Sequence, residues 1–179
     1  MTVYLIRHGK TEANERRLYC GSTDLPLSEK GREELSRVRY SLPPARFLTS
    51  GMRRANETLR VLFGDVAFEE EPGFREVDFG LFEMKSYDQL KDTPEYQRWI
   101  CGNNEENVPP GGESGVQMKQ RVLRAYRALE EDTVVVTHGG VIAAIMEELF
   151  PGEGKNRYQW QPENGCGYVI SEGSYRPLP

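Results

Sequence analysis

Short apolar or β-branched runs alternate along the chain with longer segments of helical character. The clearest run is Thr133–Thr137, a continuous Thr-Val-Val-Val-Thr stretch that is typical of a strand buried on both faces of a sheet. Four other runs predict strands, the third of them weakly: Val3–Ile6, Phe47–Thr49, Val66–Glu70 and Tyr168–Ile170.

The segments between these runs carry helix signals. Ser28 is a candidate N-cap for a helix to about residue 40, and Ser114 with Gln117 forms a capping box that opens a helix to about residue 130. Further helices are predicted over about 52–63, capped by Thr49 or Ser50, and over 86–91, 94–100 and 141–150. This alternation predicts one domain over residues 1–179, a three-layer α/β/α sandwich with a mostly parallel central sheet.

The only two histidines of the chain end two of the predicted strands. His8 follows the first strand, His138 follows Thr133–Thr137, and each is followed by glycine. The carboxyl ends of strands line the ligand crevice of an open α/β sheet, and the start of a following helix attracts anions. A single histidine would usually be an ordinary core or surface residue, but two at matching strand ends favour a phosphate site.

Three further side chains could complete a site for phosphoryl transfer, which needs cations around the phosphate and an acid for the leaving oxygen. Arg7 lies beside His8. Arg54 lies in the first turn of a predicted helix, where an arginine would otherwise belong to a solvated face. Glu76 lies among apolar residues, and partial burial near a phosphate would favour the protonated form that a general acid needs.

The composition narrows the partners and the compartment. A net charge of −5 argues against nonspecific binding to nucleic acid or to an anionic membrane. The candidate phosphate site predicts a small phosphorylated molecule as the partner, which would need a local basic pocket. The N-terminus becomes charged at Arg7, before a signal-peptide core could form, and no apolar run approaches the roughly 18 residues of a membrane span. Three scattered cysteines suit a reducing compartment, so we expect a cytoplasmic protein. The sequence shows no clear oligomerisation stripe, and both a monomer and a homodimer stay open.

Other phosphate-handling motifs fit the sequence poorly. Gly9-Lys10-Thr11 is similar to the end of a nucleotide-binding P-loop, but the first glycine of that motif would fall on Tyr4. No cysteine is followed six residues later by arginine, and no two aspartates are spaced by one residue. Two histidines without clustered carboxylates do not make a metal centre.

Five blocks of sequence, in the expected order and over nearly the whole chain, resemble the histidine phosphatase (phosphoglycerate mutase-like) superfamily. They are Leu5-Ile6-Arg7-His8-Gly9 with Thr11 and Asn14; residues 19–27 with Lys30-Gly31-Arg32; Thr49-Ser50 with Arg54-Ala55 and Glu57-Thr58; Glu76 with Asp78-Phe79-Gly80; and Pro110–Ser114 with Thr137–Gly140.

The resemblance implies the role of each candidate residue. His8 is the nucleophile that becomes phosphorylated, and Glu76 is the proton donor. The phosphoryl group is bound by Arg7, Arg54 and His138. Phosphate or substrate contacts fall on Asn14, Gly21, Ser22 and Thr23. No metal and no cofactor are implied, because arginine supplies the positive charge, and the reaction is hydrolysis of a phosphomonoester through a phosphohistidine.

Two positions depart from the family pattern. Lys10 stands where glutamate is common, and Leu81-Phe82-Glu83-Met84 stands where the family often has Trp-Glu-Gly. The first has no required chemical role, whereas the second bears on loop geometry and on substrate preference.

Two alternatives remain beside hydrolysis: phosphoglycerate mutase-type transfer and a catalytically silent module that binds a phospho-ligand. Only 34 residues separate Glu76 from Gly111, which is shorter than the insertion that shields the phosphohistidine of cofactor-dependent mutases. Retention of the nucleophile, acid and arginines argues against a silent module. The short length and the Pro-Gly-Gly-Glu-Ser stretch are most similar to α-ribazole phosphatases of cobalamin biosynthesis, which implies α-ribazole 5′-phosphate or a similar small ester as the substrate. A phosphoprotein phosphatase and a broad phosphatase of sugar phosphates stay open as alternatives.

Overall fold

The computed structural model describes all 179 residues and has a six-stranded sheet at its centre. The strands are β1 (Thr2–Arg7), β2 (Arg46–Thr49), β3 (Glu69–Glu70), β4 (Thr133–Thr137), β5 (Gly167–Ser171) and β6 (Ser174–Leu178). Their order across the sheet is β3-β2-β4-β1-β5-β6. The pairs from β3 to β1 are parallel, and β5 and β6 add an antiparallel edge.

Eight α-helices and three short 3₁₀ helices connect the strands. The α-helices are α1 (Glu12–Glu15), α2 (Glu29–Ser36), α3 (Arg53–Phe63), α4 (Tyr87–Leu90), α5 (Pro94–Ile100), α6 (Gly115–Arg127), α7 (Gly139–Leu149) and α8 (Arg157–Trp160). The 3₁₀ helices span Pro72–Phe74, Gly80–Phe82 and Pro151–Glu153. No helix is long and apolar enough to cross a membrane.

Two apolar clusters cover opposite faces of the sheet. On one face, Leu5 and Val135 pack with the buried residues of α6, α7 and α8. On the other, Ile6 and Val136 pack with Ala55 and Leu59 of α3. Side chains alternate between the two faces along a strand, so β4 contributes residues to both clusters. Because both faces of the sheet are covered, β4 is buried throughout. The predicted three-layer α/β/α fold is confirmed.

The local signals predict most strands and α-helices and miss three of them. The Ser114 capping box and the Ser28 cap form as predicted, and Thr93 caps α5. The helix after Ser28 ends at Ser36, α7 begins at Gly139, and the weak third strand shrinks to Glu69–Glu70. The short elements α1, α8 and β6 were not predicted.

The start of α3 also differs from the prediction. Its N-cap is Met52, without a side-chain cap, rather than Thr49 or Ser50. Those two hydroxyls instead accept hydrogen bonds from the backbone amides of Gly51 and Met52 and so shape the turn before the helix.

Candidate active site

The parallel register of the two central strands brings both histidines to one sheet edge. Arg7 of β1 pairs with Thr137 of β4, so the next residue of each strand is a histidine. The imidazole centroids of His8 and His138 lie 5.2 Å apart, and the two residues are 6% and 0% exposed. Two residues separated by 130 positions in the chain thus share one buried site.

The hydrogen bonds of His8 assign its tautomer. Its Nδ1 lies 2.6 Å from the carbonyl oxygen of Gly9. A carbonyl oxygen can only accept, so Nδ1 carries the hydrogen and Nε2 keeps a free lone pair. The backbone around His8 is held as well, since Thr58 accepts from the Gly9 amide at 2.9 Å and Asn164 donates to the His8 carbonyl at 3.0 Å.

Both imidazoles are biased toward the neutral form. Burial lowers the pKa of His8 well below its usual range, and the positive charges of Arg54 and Arg7 add to that effect. Burial likewise lowers the pKa of His138, with Arg54 as the next largest cause. A neutral imidazole is the form that can act as a nucleophile.

Two buried polar atoms of the site have no protein partner: Nε of Arg7 and Nδ1 of His138. The other ends of these side chains are fixed, because Arg7 Nη1 donates to the Pro162 carbonyl at 2.8 Å and His138 Nε2 lies 2.8 Å from the Ser50 hydroxyl. Burial lowers the pKa of Arg7. Buried polar groups are nearly always paired, so these two atoms indicate where a ligand would contribute hydrogen-bonding atoms.

Arg54 crosses from α3 to the loop at residues 21–23. It is 1% exposed and donates to the carbonyl oxygens of Thr23 at 2.9 Å and Gly21 at 2.8 Å. Gly21 is required by close approach, because an added Cβ would collide with the carbonyl of Val77. The positive charge of Arg54 therefore helps to lower the pKa of both histidines. The same side chain holds the loop at residues 21–23, which was predicted to contact the substrate.

Glu76 lies at the N-terminus of α7. Its Oε2 accepts from the Gly140 amide and its Oε1 from the Val77 amide, each at 3.0 Å. A Cβ on residue 140 would stand 2.5 Å from Glu76 Oε1, so only glycine permits this approach. The carboxylate is therefore bound to the first turn of α7, and His138 is the residue directly before that helix.

Arg121 of α6 supports the backbone of Glu76 from behind. It donates to the Glu76 carbonyl at 2.9 Å and to the Gly73 carbonyl at 3.0 Å. The same guanidinium makes two hydrogen bonds to Glu113, at 2.7 and 2.8 Å. This paired geometry fixes where the segment before Glu76 can lie.

The donors of residues 21–23 converge on the carboxylate of Glu83. The amides of Gly21 and Ser22 donate to Glu83 Oε1 at 2.9 and 2.6 Å, and the Thr23 hydroxyl donates to Oε2 at 3.1 Å. The predicted substrate contacts of these three residues therefore stay a prediction. Next to Glu83, Met84 has φ 62°, a left-handed conformation that favours the glycine common at this place in the family.

Asn14 is not joined by any hydrogen bond to the histidine pair. Its Oδ1 accepts from the amide and the hydroxyl of Thr11 at 3.0 and 3.1 Å, which closes the capping box of α1. Its side-chain NH₂ group remains as a donor, so its predicted phosphate contact also stays a prediction.

Sequence reasoning missed three residues of the site: Ser50, Glu83 and Arg121. Ser50 falls in a recognised sequence block, and that was the only available signal for it. The other two act on residues 62 and 45 positions away in the chain, which no local pattern reveals. No three His, Cys, Asp or Glu side chains cluster closely enough to hold a metal ion.

Two buried histidines at parallel strand ends lie with Arg7, buried Arg54 and the carboxylate of Glu76 in an arrangement that could bind a phosphate ester. The model of the histidine phosphatase superfamily (branch 1) matches residues 3–177, so the chain belongs to that superfamily of enzymes.

Individual relatives are named for two activities. "Adenosylcobalamin/alpha-ribazole phosphatase" of Salmonella typhimurium is 33% identical over 95% of this chain and 90% of its own length. "Probable phosphoglycerate mutase GpmB" of Salmonella paratyphi C is 27% identical over 83% of this chain and 74% of its own. The crystal structure of "a putative alpha-ribazole-5'-P phosphatase" from Escherichia coli, 28% identical, matches 99% of this chain and 95% of that chain with a TM-score of 0.85.

Proposed function

We propose that this protein hydrolyses phosphate monoesters through a phosphohistidine formed on His8. The observation that carries the proposal is the hydrogen bond from His8 Nδ1 to the Gly9 carbonyl. This bond leaves the lone pair on Nε2, and the lowered pKa of His8 keeps the ring neutral at the pH of a cell. The ring therefore needs no separate base before it attacks phosphorus.

In the first step, Nε2 attacks phosphorus, and the bond from phosphorus to the leaving oxygen breaks. Protonated Glu76 gives its proton to that oxygen, so the alcohol leaves neutral. The carboxylate of Glu76 accepts a hydrogen bond from the Gly140 amide in the first turn of α7, two residues after His138, which supports this role.

In the second step, water attacks the phosphohistidine and Glu76 takes a proton from it. The phosphorus–nitrogen bond breaks, inorganic phosphate leaves, and His8 returns to its neutral tautomer. Glu76 is protonated again and ready for the next ester. One carboxyl therefore acts first as acid and then as base. Water takes the position of the departed alcohol in the second step, so the proton moves in the opposite direction.

The phosphoryl oxygens contact Arg7, Arg54 and His138. The unpartnered atoms Arg7 Nε and His138 Nδ1 support this role, because both are buried donors or potential donors in need of an acceptor. A phosphate dianion would raise the proton affinity of His138 and make it a cationic clamp. Two arginines supply the positive charge, so the proposed reaction is independent of metal ions.

We favour hydrolysis over mutase-type transfer as the reaction of this site. The best candidate substrate is α-ribazole 5′-phosphate. The segment from Glu76 to Gly111 is shorter than the shielding insertion of the cofactor-dependent mutases, which favours an open site and hydrolysis. The substrate assignment is supported by the names of the Salmonella and Escherichia coli relatives.

A release assay with p-nitrophenyl phosphate tests the nucleophile. We expect His8→Ala to lose at least about a thousandfold in kcat, and Lys10→Gln, which alters the neighbouring surface pair with Glu34, to stay within about threefold of wild type. Rapid quench into alkali should trap an acid-labile phosphoenzyme in the wild type alone. Equal release by wild type and His8→Ala would show that His8 is not the nucleophile.

The same assay separates the alternatives. Chelation by EDTA should leave the rate unchanged, and strong inhibition would reveal a metal-dependent reaction. A mutase would transfer the phosphoryl group to a second organic molecule instead of releasing inorganic phosphate. A silent binding module would release no phosphate at all.

A further inference from the structure

A cavity of about 290 Å³ opens beside Glu76 and Gly140. In the proposed reaction Glu76 protonates the leaving oxygen, so the rest of the leaving group must extend from that carboxyl. Glu76 lines the cavity together with several residues between positions 96 and 118, so the cavity can hold a group that extends from this carboxyl. Its volume lies near the lower limit of roughly 300 Å³ for small-molecule pockets. We call this space the leaving-group cavity.

One wall of the leaving-group cavity is aromatic. Tyr19, Phe79, Tyr96 and Trp99 line it, and buried Met118 is also part of the lining. Trp99 meets Tyr19 and Phe79 edge to face, with centroids 5.9 and 6.2 Å away and interplanar angles of 87° and 88°. These contacts fix the rings against one another and leave flat surfaces for a ligand.

The two tyrosine hydroxyls of this aromatic wall contact each other. Those of Tyr19 and Tyr96 share a hydrogen bond at 2.7 Å. Burial raises the pKa of Tyr19, so its hydroxyl stays protonated and uncharged. The wall therefore offers mainly uncharged ring surface, which favours an aromatic group, while polar lining residues such as Asn104 and Gln161 are available to the hydroxyl groups of a sugar.

The lining of the leaving-group cavity has no free cation for a second anion. Its lining includes the carboxylates of Glu76, Glu105 and Glu113. The only lining cation is Arg157, which pairs with Glu105. A second phosphate or carboxylate, as in phosphoglycerate, would find no unpaired positive charge here.

From the aromatic wall and this charge balance, we propose that the leaving-group cavity binds an uncharged, flat aromatic group of the substrate, such as a bicyclic base carried on a sugar phosphate. This inference rests on the proposed phosphatase function, because Glu76 locates the leaving group. Stacking of a base on an aromatic side chain contributes about tenfold to hundredfold in affinity. The selectivity of the enzyme then comes from the leaving group, while the phosphate site treats every monoester alike.

A panel of three esters tests the proposal. Adenosine 5′-monophosphate carries an uncharged bicyclic base, ribose 5-phosphate has similar leaving-oxygen chemistry without a base, and 3-phosphoglycerate carries a second anion. We expect kcat/KM for adenosine 5′-monophosphate to exceed that for ribose 5-phosphate by about tenfold or more. The value for 3-phosphoglycerate should be the lowest of the three.

Variants of the wall supply the second arm. Trp99→Ala should lower kcat/KM for adenosine 5′-monophosphate by about tenfold and change that for ribose 5-phosphate less than about twofold, while Trp99→Phe should retain most of the preference. Tyr87→Ala removes an exposed ring of the same segment outside the cavity lining and should leave both values unchanged. Thermal unfolding of each variant reports whether it is folded, and if Trp99→Ala is not, the ratio of kcat/KM between the three esters for the wild type decides.

The outcomes separate this inference from the proposed function. If p-nitrophenyl phosphate is hydrolysed through His8 but the three esters react equally and Trp99 variants change nothing, the aromatic-group proposal is wrong and the phosphatase proposal stands. If no ester is hydrolysed and no phosphoenzyme forms, the phosphatase proposal fails first. A preference for 3-phosphoglycerate would contradict the charge argument directly.

Discussion

The phosphate end of the site (Arg7, His8, Arg54 and His138) and its leaving-group cavity are built from different kinds of structure. The phosphate end comes from the ends of two central strands and the first turn of α3, and three of its four residues are almost fully buried. The cavity comes largely from residues 76–118, which hold short helices and turns, and its aromatic wall is partly exposed.

This difference separates the chemistry from the selectivity. Residues on neighbouring strands of a packed sheet have one stable arrangement, which suits a reaction that needs fixed geometry. Loops and short helices tolerate substitution more readily, so a change of substrate can arise there without disturbing the strands. Variants at the phosphate end should therefore slow all esters by one factor, and variants near the cavity should change the ratio between esters.

Glu76 lies where the two regions meet, and its variant should give the largest effect that still depends on the ester. Glu76→Gln should lower kcat for adenosine 5′-monophosphate by about a thousandfold, because a nucleoside alkoxide leaves poorly without a proton. The burst of p-nitrophenol from p-nitrophenyl phosphate should slow much less, since that leaving group is a stable anion. Stopped-flow measurement of both first steps checks this, and equal losses would remove Glu76 from the role of acid.

Arg54→Lys should give the next largest effect, and one that does not depend on the ester. Lysine keeps the charge but loses the fork that donates to both Thr23 and Gly21, so kcat/KM should fall by about a hundredfold for every substrate. The matched control is Arg53→Lys, at the exposed neighbouring position of α3. A loss confined to one ester would show that Arg54 acts through the loop at residues 21–23 and not through the phosphate.

Proton linkage should also belong to the phosphate end, since it contains both histidines of the chain. Their folded pKa values lie below the unfolded value of 6.5, so below pH 6.5 the unfolded chain binds protons that the folded protein does not. The stability is full above pH 6.5 and falls with decreasing pH, by up to about 1.4 kcal/mol per pH unit for each histidine.

Urea unfolding at pH 6.5 and 5.5 measures this linkage. We expect His8→Asn to show roughly half of the wild-type decrease, because one of the two titrating groups is gone. A stability that does not change over this interval would mean that the histidines are protonated in the folded protein.

The smallest effect should come from the backbone on the cavity side. Met84 adopts φ 62°, so Met84→Gly should stabilise the protein by about 0.5–1 kcal/mol and raise Tm by a few degrees. The control Leu81→Gly changes an exposed residue at ordinary φ and should destabilise it instead. Calorimetry of the two variants makes this comparison, and a loss of stability in Met84→Gly would mean that the methionine side chain outweighs its backbone strain.

Local patterns in the sequence were enough to predict the elements that depend on local physics. The β-branched run of β4 and the capping box at Ser114 each stabilise their own element through neighbouring residues, so both could be recognised directly. The strand β6 contains a proline and has exposed residues, and its antiparallel pairing with β5 is what stabilises it. Its formation therefore depends on the rest of the sheet.

By itself the sequence determined the residue types of the site, the strand ends that carry the histidines and the family to which the chain belongs. Only the tertiary structure decided the tautomer of His8, the capture of residues 21–23 by Glu83 and the support of Glu76 by Arg121. The physical reason is that hydrogen-bond direction and charge pairing depend on distances between residues far apart in the chain. The same reason applies to the aromatic wall beside Glu76, since rings from positions 19, 79, 96 and 99 form one surface only after the chain has folded.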